Sequence, residues 1–316
     1  MYETTTPLAD GSAYISVAQL MALQPLARGL GLSARQPSRS VLAGRHTSRL
    51  RGRGVSFDQL RRYQPGDDLR YLDWRASMRY GKPYVRTFTE ERDRPVLILV
   101  DQRMSMFFGS RRVLKSVCAA ELGALVAWIV TNAGDRVGGI VFNDQRIERL
   151  RPKRSRKGVE LICSSISKYN QALCATNPDE GGEAKLDEAL RNCLELVGHD
   201  YMLCVISDFA GATSRTGDLL QKLSAHNDVI AMHVYDSLAL QLPKRGRVRI
   251  TQGEYQVMLE MDRRAVHHPL SGFLEGRLRE ITDLLQQCQV PVMQFNTQDR
   301  VAAQLSRQLG RLVRPR

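Results

Sequence analysis

Two carboxylates stand where an apolar run stops. In VLILVDQRMSMFFG (96–109), Asp101 follows five apolar residues, Val96 to Val100, and in VISDFAG (205–211), Asp208 follows Ile206 and Ser207. Carboxylate and hydroxyl oxygens together suit a hard cation, so Asp101, Ser105 and Asp208, helped by Ser207 or Ser110, are candidate ligands for Mg2+ or Mn2+. Arg103 cuts across that reading. Its guanidinium has no lone pair to offer and carries a fixed positive charge. Turned inward, it pairs with Asp101 or Asp208 in place of the cation and offers itself to a partner's acidic side chain. Turned outward, it leaves the oxygens to a weakly bound metal. The inward arrangement, or an empty site, is the expectation. The competing structural role for both Asp residues is to cap the helices that follow and to form the turns.

A second group of carboxylates, Asp67, Asp68, Asp73 and Glu90 or Glu91, lies in GVSFDQLRRYQPGDDLRYLDWRASMRYGKPYVRTFTEERDRPV (54–96). Two-metal hydrolysis would need such groups held ~4 Å around the ions. Interleaved Arg61, Arg62, Arg70, Arg75 and Arg79 compete for the same oxygens. The mixture reads instead as charge-assisted hydrogen bonds packed around Phe57, Tyr63, Tyr71 and Trp74 as apolar anchors, with Pro65-Gly66-Asp67 as a turn. His199, His226 and His233 flank strands, and His267-His268 opens a helix near Pro269; none lies beside a nucleophile in a recognisable turn. Gly134, Gly138 and Gly139 lack the Lys-Ser/Thr of a phosphate loop.

These residues need a scaffold, and the chain supplies an alternating one. Strand 96–100 leads to a helix over about 111–133, in which Leu114, Val117, Ala120, Ala124 and Trp128 recur with helical spacing. Strand 136–142 and a short strand at 147–150 flank Asn143-Asp144, which reads as a hairpin with an antiparallel edge. Helices at about 157–170 and 184–197 flank the loop NPDEGG (177–182). After them come strand 201–206, helix 215–225, strand 229–235, a strand pair across 247–260, helix 271–288, strand 290–295 and a closing helix from about 299. Strands separated by helices predict an α/β fold with a mostly parallel sheet covered on both faces. The carboxyl edge of such a sheet is where ligands bind, and Asp101 and Asp208 both emerge there. Before it, Ser16 and Gln19 read as a capping box opening an amphipathic docking helix, and 29–54 reads as a Gly-, Ser- and Arg-rich loop. The division is 1–94 for this helix, the loop and a small β-rich subdomain, and 95–316 for the main domain, with the 247–260 strands inserted.

A chain of 316 residues can bury one large core or two smaller ones without disulfides. The six Cys include no Cys-x-x-Cys and read as reduced core thiols. The most apolar stretch, 117–130, is too short to span a bilayer and contains Glu121. With neither secretory signal nor transmembrane segment in view, the expected location is cytoplasmic. Net charge is +13, concentrated in Arg28 to Arg53, Arg151 to Lys157 and Lys244 to Arg249, a surface that attracts nucleic acid, anionic lipid or an acidic protein.

VDQRMSMFFG, GDRVGGIVFND (134–144) and VISDFAG resemble a von Willebrand factor A-like (Rossmann-like) domain. That resemblance implies a mostly parallel six-stranded sheet and a metal-ion-dependent adhesion site built on Asp-x-Ser-x-Ser, a Thr and a distal Asp. Asp101, Ser105 and Asp208 match; Arg103 stands where the first Ser belongs, and only Ser155 is available for the Thr, so the site is incomplete. The order Arg61, Tyr63, Gly66, Asp67, Arg70, Asp73, Trp74, Arg79, Glu91 ahead of such a domain resembles the bacterial and archaeal family called domain of unknown function 58. What that family implies is a non-enzymatic adaptor serving a MoxR-type AAA+ ATPase in the assembly or remodelling of a client protein. It also implies two leading transmembrane helices in many members, which are not seen here. The alternatives are nucleic-acid binding through Arg35 to Arg53 and Arg151 to Lys157, and a metal-dependent hydrolase.

Overall fold

The computed structural model describes residues 13–31, 55–90, 94–174, 183–239, 247–252, 255–260 and 264–313. They divide into two compact units, one of residues 55–90 and the other of residues 13–31 with 94 onwards. Glu91, most of the Arg28 to Arg53 run, the loop 177–182 and Lys244 lie outside the described residues.

The chain enters the larger unit through helix α1 (Val17–Met21), whose start is a true capping box: the Ser16 hydroxyl accepts from the Gln19 N–H and the Gln19 side chain accepts from the Ser16 N–H. Leu20 is fully buried, and the Trp128 indole N–H donates to its carbonyl at 3.4 Å. Ile15 gives its N–H to Asn170 Oδ1 at 2.9 Å and accepts from the Ser167 hydroxyl at 2.9 Å. The N-terminal helix therefore packs with the main domain. The expected 1–94 grouping separates it from the residues that satisfy its backbone, which a boundary drawn from composition cannot foresee.

The smaller unit pairs strands β1 (Val55–Arg62) and β2 (Tyr84–Glu90) antiparallel, with helix α2 (Trp74–Tyr80) between them. Asp73 caps α2 by accepting the Ala76 N–H at 3.0 Å, and Gly81, at φ 64, ends it in the left-handed conformation that glycine tolerates. Asp67 closes the turn, taking Arg61 Nη2 at 2.6 Å and the Gln64 N–H at 2.8 Å. Charge-assisted bonds are present as expected; of the four expected anchors Tyr63 is half-buried, the Phe57 side chain lies outside the described residues, and Tyr71 and Trp74 are not enclosed. Tyr71 is 48% and Trp74 69% exposed, because only Ala76 of α2 turns inward.

The larger unit continues through β3 (Val96–Asp101), α3 (Lys115–Asn132), β4 (Val137–Phe142), β5 (Ile147–Lys153), α4 (Arg156–Gln171), α5 (Glu183–Leu196), β6 (Met202–Ser207), α6 (Ser214–Ser224) and β7 (Asp228–Tyr235). An antiparallel pair, β8 (Arg247–Gln252) and β9 (Tyr255–Glu260), precedes α7 (Arg264–Gln287), β10 (Val292–Asn296) and α8 (Val301–Val313). The main sheet has the order β10-β7-β6-β3-β4-β5, parallel throughout except for the antiparallel edge strand β5. Helix α7 begins at Arg264 instead of about 271, so His267 and His268 lie within it. Pro269 falls in its second turn.

Alternation along each central strand feeds two cores. Val96, Ile98, Val100, Cys204 and Ile206 pack into one with α3, α4 and α8, while Leu97, Leu99, Leu203 and Val205 pack into the other with α5 and α6. Gly123 lets α3 lie close on β3: a Cβ there would sit 3.0 Å from Val100 Cγ2. Because β3 has β4 on one side and β6 on the other, the connections diverge at β3, and the crevice that this opens lies at the carboxyl ends of β3 and β6.

Candidate functional site

Asp101 ends β3 with no exposed surface, and Arg103, two residues on, is 2% exposed. The guanidinium turns inward and grips the carboxylate: Nε lies 3.1 Å from both Asp101 oxygens and Nη2 is 2.7 Å from Oδ2. Asp101 Oδ1 also accepts the Arg103 N–H at 2.9 Å, and Oδ2 accepts the Ser207 hydroxyl at 2.7 Å. Arg103 Nη1 donates to the Ala210 carbonyl at 3.1 Å, Nη2 stands 3.7 Å from Asp208 Oδ1, and the guanidinium lies over the Phe142 ring at 5.7 Å. Burial alone would weaken the protonated guanidinium; Asp101 first, then Asp208 and Asp144, outweigh it and hold Arg103 above its ordinary range.

Asp208 is the second anchor. Its Oδ1 accepts the Ser105 hydroxyl at 3.2 Å and the Ala210 N–H at 3.0 Å, and Oδ2 takes Lys115 Nζ at 2.6 Å. Burial works against its charge, but Lys115 and Arg103 override it and keep the carboxyl far below the usual carboxylate range. The turn after it is tight: Phe209 sits at φ 52, its N–H given to the Ser207 hydroxyl at 2.9 Å, and Gly211 follows at φ 74. A buried aromatic in the left-handed region carries local strain, tolerated because Asp208 and Ser207 both fix the turn.

Sequence reasoning missed two residues of this cluster. Asp144, from the β4–β5 turn, accepts the Met104 N–H at 2.8 Å, and burial raises its pKa. Asn143, whose Oδ1 accepts the Gln145 and Arg146 N–H groups, makes the turn itself and leaves Asp144 free for this work. Lys115 is the other; a lysine in the first turn of an apolar helix opposes the helix dipole, which is a signal that it has a partner elsewhere. Two helper candidates lie apart from the cluster. Ser155 caps α4 through the Gly158 N–H at 3.1 Å, and Ser110 gives its N–H to Asp236 at 2.8 Å.

The donor set does not fit Mg2+ or Mn2+. A divalent ion needs open carboxylate oxygens directed at one point ~2.1 Å away, whereas the Asp101 oxygens are held by Arg103 and Ser207 and those of Asp208 by Lys115, Ser105 and Ala210. Among the described residues, no three His, Cys, Asp or Glu side chains gather as a metal-holding group. Among the described residues, the carboxylates of the small unit do not converge either: Asp67 serves Arg61, Asp68 accepts the Arg70 N–H at 3.0 Å, and Asp73 serves Ala76 and Arg86; the Glu90 and Glu91 side chains lie outside the described residues.

Direct contact between Arg103 and a partner's carboxylate meets a geometric obstacle, because the guanidinium is enclosed and donates to Asp101 and Ala210. What the edge presents outward is its rim: half-buried Met104, Ser105 and Phe107, exposed Phe108, and Lys115 Nζ 6.0 Å from the Phe108 ring centre. The basic run Arg151 to Lys157 is exposed along the end of edge strand β5 and the start of α4, where cationic side chains discourage edge-to-edge pairing.

The family described as "Protein of unknown function DUF58" matches residues 59–269, a span that includes Arg61 to Glu91, Asp101, Arg103 and Asp208. The chain belongs to this family. An uncharacterized protein from Mycobacterium bovis is 26% identical over 271 residues, covering 85% of this chain and 83% of that protein. The conserved hypothetical protein BatB from Bacteroides thetaiotaomicron is 15% identical with a TM-score of 0.42, covering 69% of this chain and 98% of that one. A von Willebrand factor type A structure from Catenulispora acidiphila is 10% identical with a TM-score of 0.33, covering 72% of this chain and 43% of that one. Within this DUF58 protein, no helix among the described residues is long and apolar enough to cross a membrane.

Proposed function

We propose that this DUF58 protein is a non-enzymatic, cytoplasmic interaction adaptor that docks a partner on the carboxyl edge of its main sheet. The partner is a MoxR-type AAA+ ATPase acting on a client protein. The observation that carries the reading is the paired floor beneath the rim. Asp101, Arg103, Asp208 and Lys115 neutralise one another and bond the loops from β3 and β6 together, and Met104, Ser105, Phe107 and Phe108 stand above them. Such a platform is rigid before it meets a partner, which lowers the ordering cost of association. Its apolar centre, with Lys115 alongside, suits an acidic-rimmed partner surface. Similarity to the family supports the choice of ATPase. The experiment is affinity isolation of the full chain from its native host beside a Phe108→Glu variant of unchanged thermal stability. Recovery of an AAA+ ATPase with the wild type and its loss with the variant is the expected result. Recovery of no AAA+ ATPase, or equal recovery with both proteins, would overturn the proposal.

A further inference from the structure

The small unit exposes several large apolar side chains among its described residues. Among its residues with described burial, only Ala76 and Val85 are buried. Leu69 is 64%, Trp74 69% and Met78 79% exposed, and Tyr71 is close by. Trp74 and Met78 are four residues apart on α2 and share a face, and exposed Arg75 and Arg79 form a parallel stripe beside them. Among the described residues, the carboxylates of this segment have other partners: Asp73 takes the Ala76 N–H and Arg86 at 2.8 Å, Asp67 takes Arg61, and Asp68 lies 3.5 Å from Arg70. Exposed Trp74 and Met78 on one helix face, with exposed Leu69 in the turn before it and arginine alongside, have the composition of an interface core rather than of solvated surface.

We infer that the exposed face of α2 and the turn before it bind a partner segment with apolar anchors flanked by carboxylates. Charge selects this occupant. A second copy of a chain with net charge +13 brings like charge to Arg75 and Arg79, and the remainder of the chain has no surplus of acid to offer. Leu69 and Met78 favour a protein over a nucleic acid, because aliphatic side chains give bases no stacking platform and Asp68 stands next to Leu69. This surface belongs to the small unit and the sheet edge to the larger one, and the two tests use different variants, so each reading can fail without the other.

The test places a photo-crosslinking benzoylphenylalanine at position 78 of the full chain in its native host, with and without Arg75→Glu and Arg79→Glu. The expected result is an intermolecular protein adduct whose cross-linked peptide carries Asp or Glu around apolar residues. The double charge reversal should lower its yield by about tenfold, and the same change should leave thermal stability unaltered. Cross-links within the chain, to a second copy or to nucleic acid, no adduct at all, or a yield indifferent to the charge reversal would each overturn the inference.

Discussion

Arg103 is the residue on which the site turns. A serine at its place would leave the buried Asp101 carboxylate without its paired cation, since Lys115 serves Asp208, and a buried charge so left is neutralised or met by another cation. Here the cation is tethered to the loop, two residues from the carboxylate it serves. Asp101 and Asp208 were legible in the sequence because each ends an apolar run, and Arg103 was legible as a residue unable to ligate metal. Lys115 and Asp144 were not, since their approach depends on loops meeting only after the sheet is built. Nearby His233 yields a prediction at this scale. It is 2% exposed, its Nδ1 has no hydrogen-bond partner among the described residues, and burial, only partly offset by Asp208, pushes its pKa from 6.5 down to about 4. Above pH 6.5 the imidazole is neutral folded or unfolded and makes no difference. As pH falls from 6.5 to about 4, the unfolded chain takes the proton and the folded one does not, so stability drops, by on the order of 3 kcal/mol from this residue. Urea titrations of a His233→Gln variant should show a flatter pH dependence across that window than the wild type.

At the scale of elements, periodicity located nearly every strand and helix of the larger unit, because buried parallel strands and two-sided helix cover impose long apolar runs. The departures have local causes. Helix α7 begins before Pro269, and Tyr71 and Trp74 lie outside because a seven-residue helix with one inward residue cannot enclose them. The β4–β5 pair shows what a glycine can decide. The ladder shifts register between Val137 and Gly139, and a Cβ on Gly138 would meet the Leu150 carbonyl oxygen at 2.6 Å and the Pro152 nitrogen at 2.7 Å. Backbone atoms cannot yield as side chains do. Gly138→Ala should therefore destabilise the chain by ~1–3 kcal/mol in urea unfolding, as overpacking does elsewhere. Because β4 leads directly into the turn bearing Asp144, the same substitution should disturb the bond to Met104.

For the whole molecule, the sheet's divergence at β3 and the neutralisation at its edge belong to one design: connections separate where Asp101 and Asp208 emerge, and Arg103 with Lys115 fills the charge deficit that this creates. The net charge of +13 adds long-range attraction for acidic partners without specifying which one. The account's central claim is that the edge is neutralised from within, and unfolding free energy with and without metal tests it most directly. Wild-type protein should give the same value in EDTA as in millimolar Mg2+ or Mn2+, and Arg103→Ala in EDTA should lose ~3–5 kcal/mol, the cost of leaving a buried carboxylate unpaired. A wild-type stability that climbs with the logarithm of metal concentration, or an Arg103→Ala variant as stable as the wild type, would contradict it.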